Sequence, residues 1–253
     1  MDEKKWQIVN KFLNKYKDKD YFEGAVLSGS YASGNYNENS DIDVYIIAND
    51  TINWKERGMK LIDGQLVEYF INPISFIKKS LIEGQSNSNC LDIRMLSNCI
   101  IVEDKHSIIE NLLKEANTIL EKGPTTLDEY SYKINCYMVW SRFDELEIKY
   151  KRKEDIEFNY NVFLSQVITS YLKNKRIYLV NLCKIENILK DEQFKKNYNI
   201  GKDIDNEFQI LLLNCFKEKD YEKRFKCAKK LYNYFKNEFS DFDINNFSVR
   251  TQI

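Results

Sequence analysis

The stretch Gly24–Ala48, GAVLSGSYASGNYNENSDIDVYIIA, decides the fold. Ala25-Val26-Leu27 is a short apolar run that predicts a buried strand, broken at Gly29. A glycine at that point lets the backbone approach a ligand closely, and Ser30 adds a hydroxyl donor. The segment that follows can start a helix whose free N–H groups face an anion. Taken alone, Gly-Ser after a strand also fits an ordinary turn.

The second half of the stretch is more telling. Ile42, Val44 and Ile46 alternate with Asp41, Asp43 and Tyr45, which predicts a strand with one buried face. Both aspartates leave the same face, with Cα atoms roughly 7 Å apart at ~3.4 Å per residue. Carboxylate oxygens suit Mg²⁺, a hard cation that keeps waters and takes up substrate phosphates. Two such ions about 3.5–4 Å apart can clamp the attacking and leaving oxygens of an in-line displacement. Leu61 to Ile71 then predicts a hairpin turning at Asp63-Gly64, with Glu68 in its second strand among Val67, Tyr69, Phe70 and Ile71. A glutamate in so apolar a run is costly to bury unpaired. The sequence therefore predicts a metal ion or another cation beside Glu68; the alternative is an edge strand that turns it to solvent.

Gly29-Ser30, then Ser40-Asp41-Ile42-Asp43, then Glu68 on a later strand resembles the DNA polymerase β-type nucleotidyltransferase superfamily. The pattern is most similar to the antibiotic-modifying members, the aminoglycoside and lincosamide nucleotidyltransferases. The motifs cover about residues 20–72, and the domain they imply runs to about residue 122. The signature is specific for the superfamily and poor at naming a substrate. By resemblance, Asp41 and Asp43 hold the metal, two Mg²⁺ ions in all, and Glu68 is the third ligand or a base on the acceptor hydroxyl. Gly29 and Ser30, with Ser40 beside the aspartates, hold the triphosphate of ATP or another nucleoside triphosphate. Many relatives carry Arg or Lys just after Gly-Ser, whereas Tyr31-Ala32-Ser33 has no cation, so some other basic residue must meet the triphosphate.

Charge is balanced, with 38 basic and 39 acidic side chains, and hydrophobic residues make up 43%, a globular composition. Residues 1–123 carry 15 basic and 19 acidic groups, and residues 124–253 carry 23 and 20. Neither part has the basic excess that grips a nucleic-acid backbone, which disfavours a nucleic-acid partner. Six scattered cysteines without a Cys-x-x-Cys pair read as reduced, mostly buried thiols of a cytoplasmic protein. The single histidine, His106, reads as a surface residue, and zinc sites or a histidine-based triad lack their ligands. The first residues lack a signal peptide's apolar core, and no apolar run reaches membrane-spanning length.

The fold class expected is α+β: a nucleotidyltransferase domain over residues 1–123, a mixed sheet with flanking helices, followed by an all-α helical bundle over 124–253. Trp6, Val9, Phe12 and Leu13 share one face of an opening helix, Cys99 to Val102 reads as a last strand, and a helix follows from Ile108 to Leu120. Gly123-Pro124 breaks the chain, and Thr126-x-x-Glu129 offers a capping box for a helix from about Leu127 to Lys151. Beyond it the pattern is helical nearly to the end, interrupted only at Gly201. By resemblance, the general base on the acceptor sits on that long helix, with a lysine one turn later. Asp144, or Glu145 with Lys149, fits that place, and solvated helix surface is the plain alternative. Lys149-Tyr150-Lys151-Arg152-Lys153 fits both a helix end favoured by its dipole and contact with a triphosphate.

The resulting expectation is a Mg-dependent transferase that moves AMP from ATP to a hydroxyl of a small molecule, an aminoglycoside-type antibiotic, with pyrophosphate released. A homodimer is implied by resemblance. The rival is an antitoxin-like enzyme that adenylylates a protein or an RNA end. Such relatives are minimal domains, so the long helical half argues against it. A third reading is a binding module that has lost transfer, against which Asp41, Asp43 and Glu68 stand intact.

Overall fold

Five strands build one mixed sheet in the computed structural model, which describes residues 3–198, 200 and 203–250. The chain opens with α1 (Glu3–Leu13), then β1 (Phe22–Ser28), the short α2 (Gly29–Ser33) and β2 (Ile42–Ala48). A hairpin of β3 (Glu56–Ile62) and β4 (Gln65–Pro73) follows, then α3 (Ile74–Asn87), α4 (Leu91–Ser97), β5 (Ile100–Asp104) and α5 (Ile108–Lys122). The strand order is β3-β4-β2-β1-β5, with β2 and β4 parallel and the other pairs antiparallel. Asp63 and Gly64 both take positive φ, 50° and 79°, the demand of a two-residue hairpin turn whose twist matches its strands.

On one face, Ala25, Leu27, Ile42, Val44, Ile46, Val67, Tyr69 and Ile71 form a core with Ile8, Val9, Phe12 and Leu13 of α1. Each such aliphatic side chain withdrawn from water contributes about 1.5–3 kcal/mol. The alternation in β2 predicts a strand with one wet face; beyond Asp43 it is instead buried on both. The cause is its central position between β1 and β4, with helices over the second face. There Tyr45 donates to Asp92 of α4 at 2.8 Å and accepts from Asn72 of β4 at 2.9 Å, and Ser80 of α3 donates to the same Asp92. Burial, then the Asp92 carboxylate, pushes the Tyr45 phenol well above its ordinary range.

Two compact units divide the chain: Met1–Pro124 with Glu192–Gly201, and Thr125–Asp191 with Lys202–Ile253. The second is helical: α6 (Glu129–Lys151), α7 (Glu157–Asn174), a 3-10 turn at Leu182–Lys184 and α8 (Ile185–Lys190). After α9 (Glu192–Tyr198), which belongs to the first unit, come α10 (Asn206–Lys217), α11 (Tyr221–Glu238) and a 3-10 turn at Ile244–Asn246. The core of this second unit contains an aromatic cluster, in which Phe143 of α6 meets Phe163 of α7 and Phe225 and Tyr232 of α11. No helix among the described residues is long and apolar enough to cross a membrane.

Two expectations about the helical half are corrected. The N-cap of α6 is Asp128, whose side chain accepts from the Ser131 N–H at 2.6 Å, and not Thr126. An aspartate caps as well as a hydroxyl does, and its carboxylate also meets the positive end of the helix. Gly201 lies outside the described residues, and the helical pattern has interruptions elsewhere. α6 and α7 stop at Lys153 and Arg176, both with φ of 57°. Glu154 N bonds Lys149 O at 3.1 Å and Ile177 N bonds Leu172 O at 2.7 Å, closing each helix with the six-residue C-terminal bond that usually recruits glycine.

Candidate active site

Sheet register lines up the site. Ser28 of β1 stands opposite Asp43 of β2, and Asp43 stands beside Glu68 of β4. Residues paired across strands share a face, so the three form a row over three adjacent strands. Asp41, two residues ahead of Asp43, joins them just outside the first residue of β2. One carboxylate oxygen from each of Asp41, Asp43 and Glu68 lies within 4.8 Å of the others. Glu68 is 9% exposed, which rules out the edge-strand alternative: β4 is flanked on both sides. At that spacing each pair of carboxylates repels by roughly 3 kcal/mol at an effective dielectric near 20, so the cluster needs a cation.

Gly29 makes room for one of these groups. Its φ is +66°, and a Cβ built on it would lie 1.8 Å from Asp43 Oδ2. The aspartate carboxylate occupies the space a side chain would need. Ser28 precedes it in extended backbone and caps nothing, and its Oγ is buried without a hydrogen-bond partner. The donors in this row are all hydroxyl or carboxylate oxygens, and a buried hydroxyl stands without a partner in it. That donor set fits Mg²⁺ and its phosphate companions. Ser30 is half-buried, and its carbonyl accepts from Ser33 Oγ at 3.2 Å. Ser40 shapes the turn before the aspartates: its Oγ accepts from Asn37 N at 2.9 Å, and its carbonyl accepts from Gln65 Nε2 at 2.8 Å.

The cation beside Glu68 is Arg57, which the sequence reading did not single out. Its Nε and Nη2 donate to Glu68 Oε1 at 2.8 and 2.5 Å, and its guanidinium lies 4.9 Å from the Phe70 ring centre. The signal was available. A two-residue turn at Asp63-Gly64 fixes the register, setting Met59 against Glu68 and Arg57 against Phe70, one pair along on the same face.

Asp144, Glu145 and Lys149 lie on α6 in the second unit. Asp144 and Lys149 are half-buried. Glu145 is exposed and accepts from Arg142 Nη1 at 3.1 Å through both oxygens. The basic run at the end of α6 includes Lys151, paired with Glu147 at 2.8 Å. The carboxylate row thus draws together Gly29, Asp41, Asp43 and Glu68 within the first unit, whereas the three helical residues belong to the other.

Residues 9–116 match the family model described as a nucleotidyltransferase domain. The match supports such a domain over these residues and, with it, nucleotidyl transfer as the class of chemistry. Among solved structures, a nucleotidyltransferase-like protein from Exiguobacterium sibiricum 255-15 superposes with a TM-score of 0.48 at 11% identity, covering 92% of this chain and 74% of that one. No curated protein matches the sequence.

Proposed function

We propose that this chain moves a nucleoside monophosphate, AMP from ATP, onto a hydroxyl of a small molecule, and that the acceptor is an aminoglycoside-type antibiotic. The observation that supports transfer is the convergence of Asp41, Asp43 and Glu68 beside the Gly29 bend. The antibiotic acceptor rests on resemblance alone, since one fold carries many functions.

Asp41, Asp43 and Glu68 are the residues that would hold Mg²⁺. Bound there, the ion supplies positive charge to a triphosphate and to the negative charge that develops in transfer. Gly29 and Ser30, with Ser40, orient the triphosphate through backbone N–H groups and hydroxyls. Lys149 is the proposed further phosphate contact. In the reaction the acceptor oxygen forms a bond to the α-phosphorus as the bond to the bridging oxygen breaks, and pyrophosphate leaves. The acceptor's proton passes to a carboxylate, with Asp144, Glu145 and Glu68 as the candidates.

The test is pyrophosphate release from Mg-ATP across a panel of hydroxylated aminoglycosides and lincosamides. Release that depends on one of these acceptors supports the reading. A panel without product, together with transfer of label from α-labelled ATP to a co-purified protein or RNA, replaces the antibiotic acceptor with the rival one. Separate Asp144→Ala and Glu145→Ala variants then identify the base, as the one that keeps substrate binding and loses turnover.

A further inference from the structure

Glu68 has two neighbours of opposite kind: the two aspartates and a guanidinium. Arg57 holds it with both hydrogen bonds on a single oxygen, Oε1, so Oε2 is not used by the arginine. The arginine is set in place from below, on the edge strand β3 and over the ring of its cross-strand partner Phe70. The Glu68 side chain is 11% exposed, whereas the Arg57 side chain is 65% exposed, its outer surface in water. Three carboxylates with this guanidinium carry a net charge of −2, the charge that one divalent ion cancels.

We propose that Arg57 is a resident counter-cation of the metal centre: it neutralises Glu68 in the empty enzyme and sets how tightly the three carboxylates take a divalent ion. This rests on the reading of Asp41, Asp43 and Glu68 as metal ligands. With Arg57 present, the site can stand free of metal with its buried carboxylate, Glu68, already paired. Its positive charge opposes an incoming ion, so divalent binding is weaker than three carboxylates alone would give. Filling of the site then becomes sensitive to whatever else brings or withdraws charge, a bound triphosphate above all.

The experiment is a Mn²⁺ titration without nucleotide, read by the electron paramagnetic resonance signal of free Mn²⁺, on the whole chain and three variants. Arg57→Gln, with folding checked by circular dichroism, is expected to bind Mn²⁺ about tenfold more tightly, the effect of removing one largely exposed charge beside a divalent ion. Arg57→Lys keeps the charge and loses the planar fork; it is expected to stay within about twofold of the parent, which a purely structural role for the fork would not give. Asp43→Asn is expected to abolish tight binding. If Asp43→Asn loses Mn²⁺ while Arg57→Gln binds as the parent does, the counter-cation role is overturned and the metal centre stands. If Asp43→Asn binds Mn²⁺ unchanged, the metal centre itself is wrong and the role of Arg57 falls with it.

Discussion

Replacing Gly29 with alanine tests the geometry of the site at its tightest point. Two costs can be worked out. The backbone sits at φ +66°, a region that costs an L-residue roughly 1–2 kcal/mol. The new methyl group would also lie 1.8 Å from Asp43 Oδ2, where real contacts essentially never fall below 3.0 Å. The carboxylate must therefore retreat by about 1.2 Å, the difference between those two distances. Strain of that size lowers Tm by about 2–8 °C in a chain of this length, at 2–4 °C per kcal/mol. The retreat does more damage to function: about 1 Å of misplacement can cost roughly a hundredfold in rate. The assays are thermal unfolding by fluorescence, Mn²⁺ titration and, once an acceptor is found, turnover. A folded Gly29→Ala protein with its Mn²⁺ affinity within twofold of the parent would refute the claim that this glycine exists to admit the aspartate.

Other variants test separate steps. Asp43→Asn should cost several kcal/mol of transition-state stabilisation, roughly a thousandfold in rate at ~1.4 kcal/mol per decade; a loss under tenfold removes Asp43 from the metal site. Asp128→Ala should destabilise α6 by about 1 kcal/mol through its lost cap, whereas Thr126→Ala should leave Tm unchanged; the reverse order would restore the sequence-based cap. Lys153→Gly should raise stability by about 0.5–1 kcal/mol in a melt, because glycine enters the left-handed slot without a steric penalty; a fall in Tm would show that the lysine makes a contact that outweighs its strain. Burial pushes the Cys99 and Cys215 thiols up to about 12 and that of Cys136 to about 11, while Cys183 is exposed. An aromatic disulfide reagent at pH 8 should therefore label Cys183 first, the half-buried Cys99 more slowly, and the buried Cys136 and Cys215 only on unfolding; fast labelling of Cys136 or Cys215 in the native protein would contradict their burial.

Much of the first unit is legible in the sequence because its signals are local. Asp63-Gly64 marks a turn by tolerance of positive φ, and the alternation around it fixes which residues share a face. The aspartates and Glu68 follow from the same period, and Gly29 is readable as a place where the backbone must come close. What close approach means there is not readable: the neighbour is the Asp43 carboxylate. Two-sided burial of β2 is hidden as well, because Tyr45 is apolar enough for a core and polar enough for a surface, and only the strand order decides. Arg57 is masked by its setting, Glu56-Arg57-Gly58-Met59-Lys60, which reads as a solvated edge until the hairpin register is carried back from the turn. The helix ends at Lys153 and Arg176 escape for a different reason, since the residue types that signal a left-handed stop are absent. The seating of α9 with the first unit is a long-range matter: Asn35 Nδ2 donates to the Phe194 carbonyl and Asn98 Nδ2 to the Asn197 carbonyl, contacts between residues more than 95 apart that no periodicity encodes.

The most direct measurement is a crystal of the chain grown or soaked with Mn²⁺, with data collected at the manganese absorption edge. An anomalous peak within about 2.0–2.3 Å of oxygens from Asp41, Asp43 and Glu68, a hard divalent ion's distance to carboxylate oxygen, is the predicted result. A map without a peak among those three side chains, at a Mn²⁺ concentration that fills other sites, would contradict the account at its root.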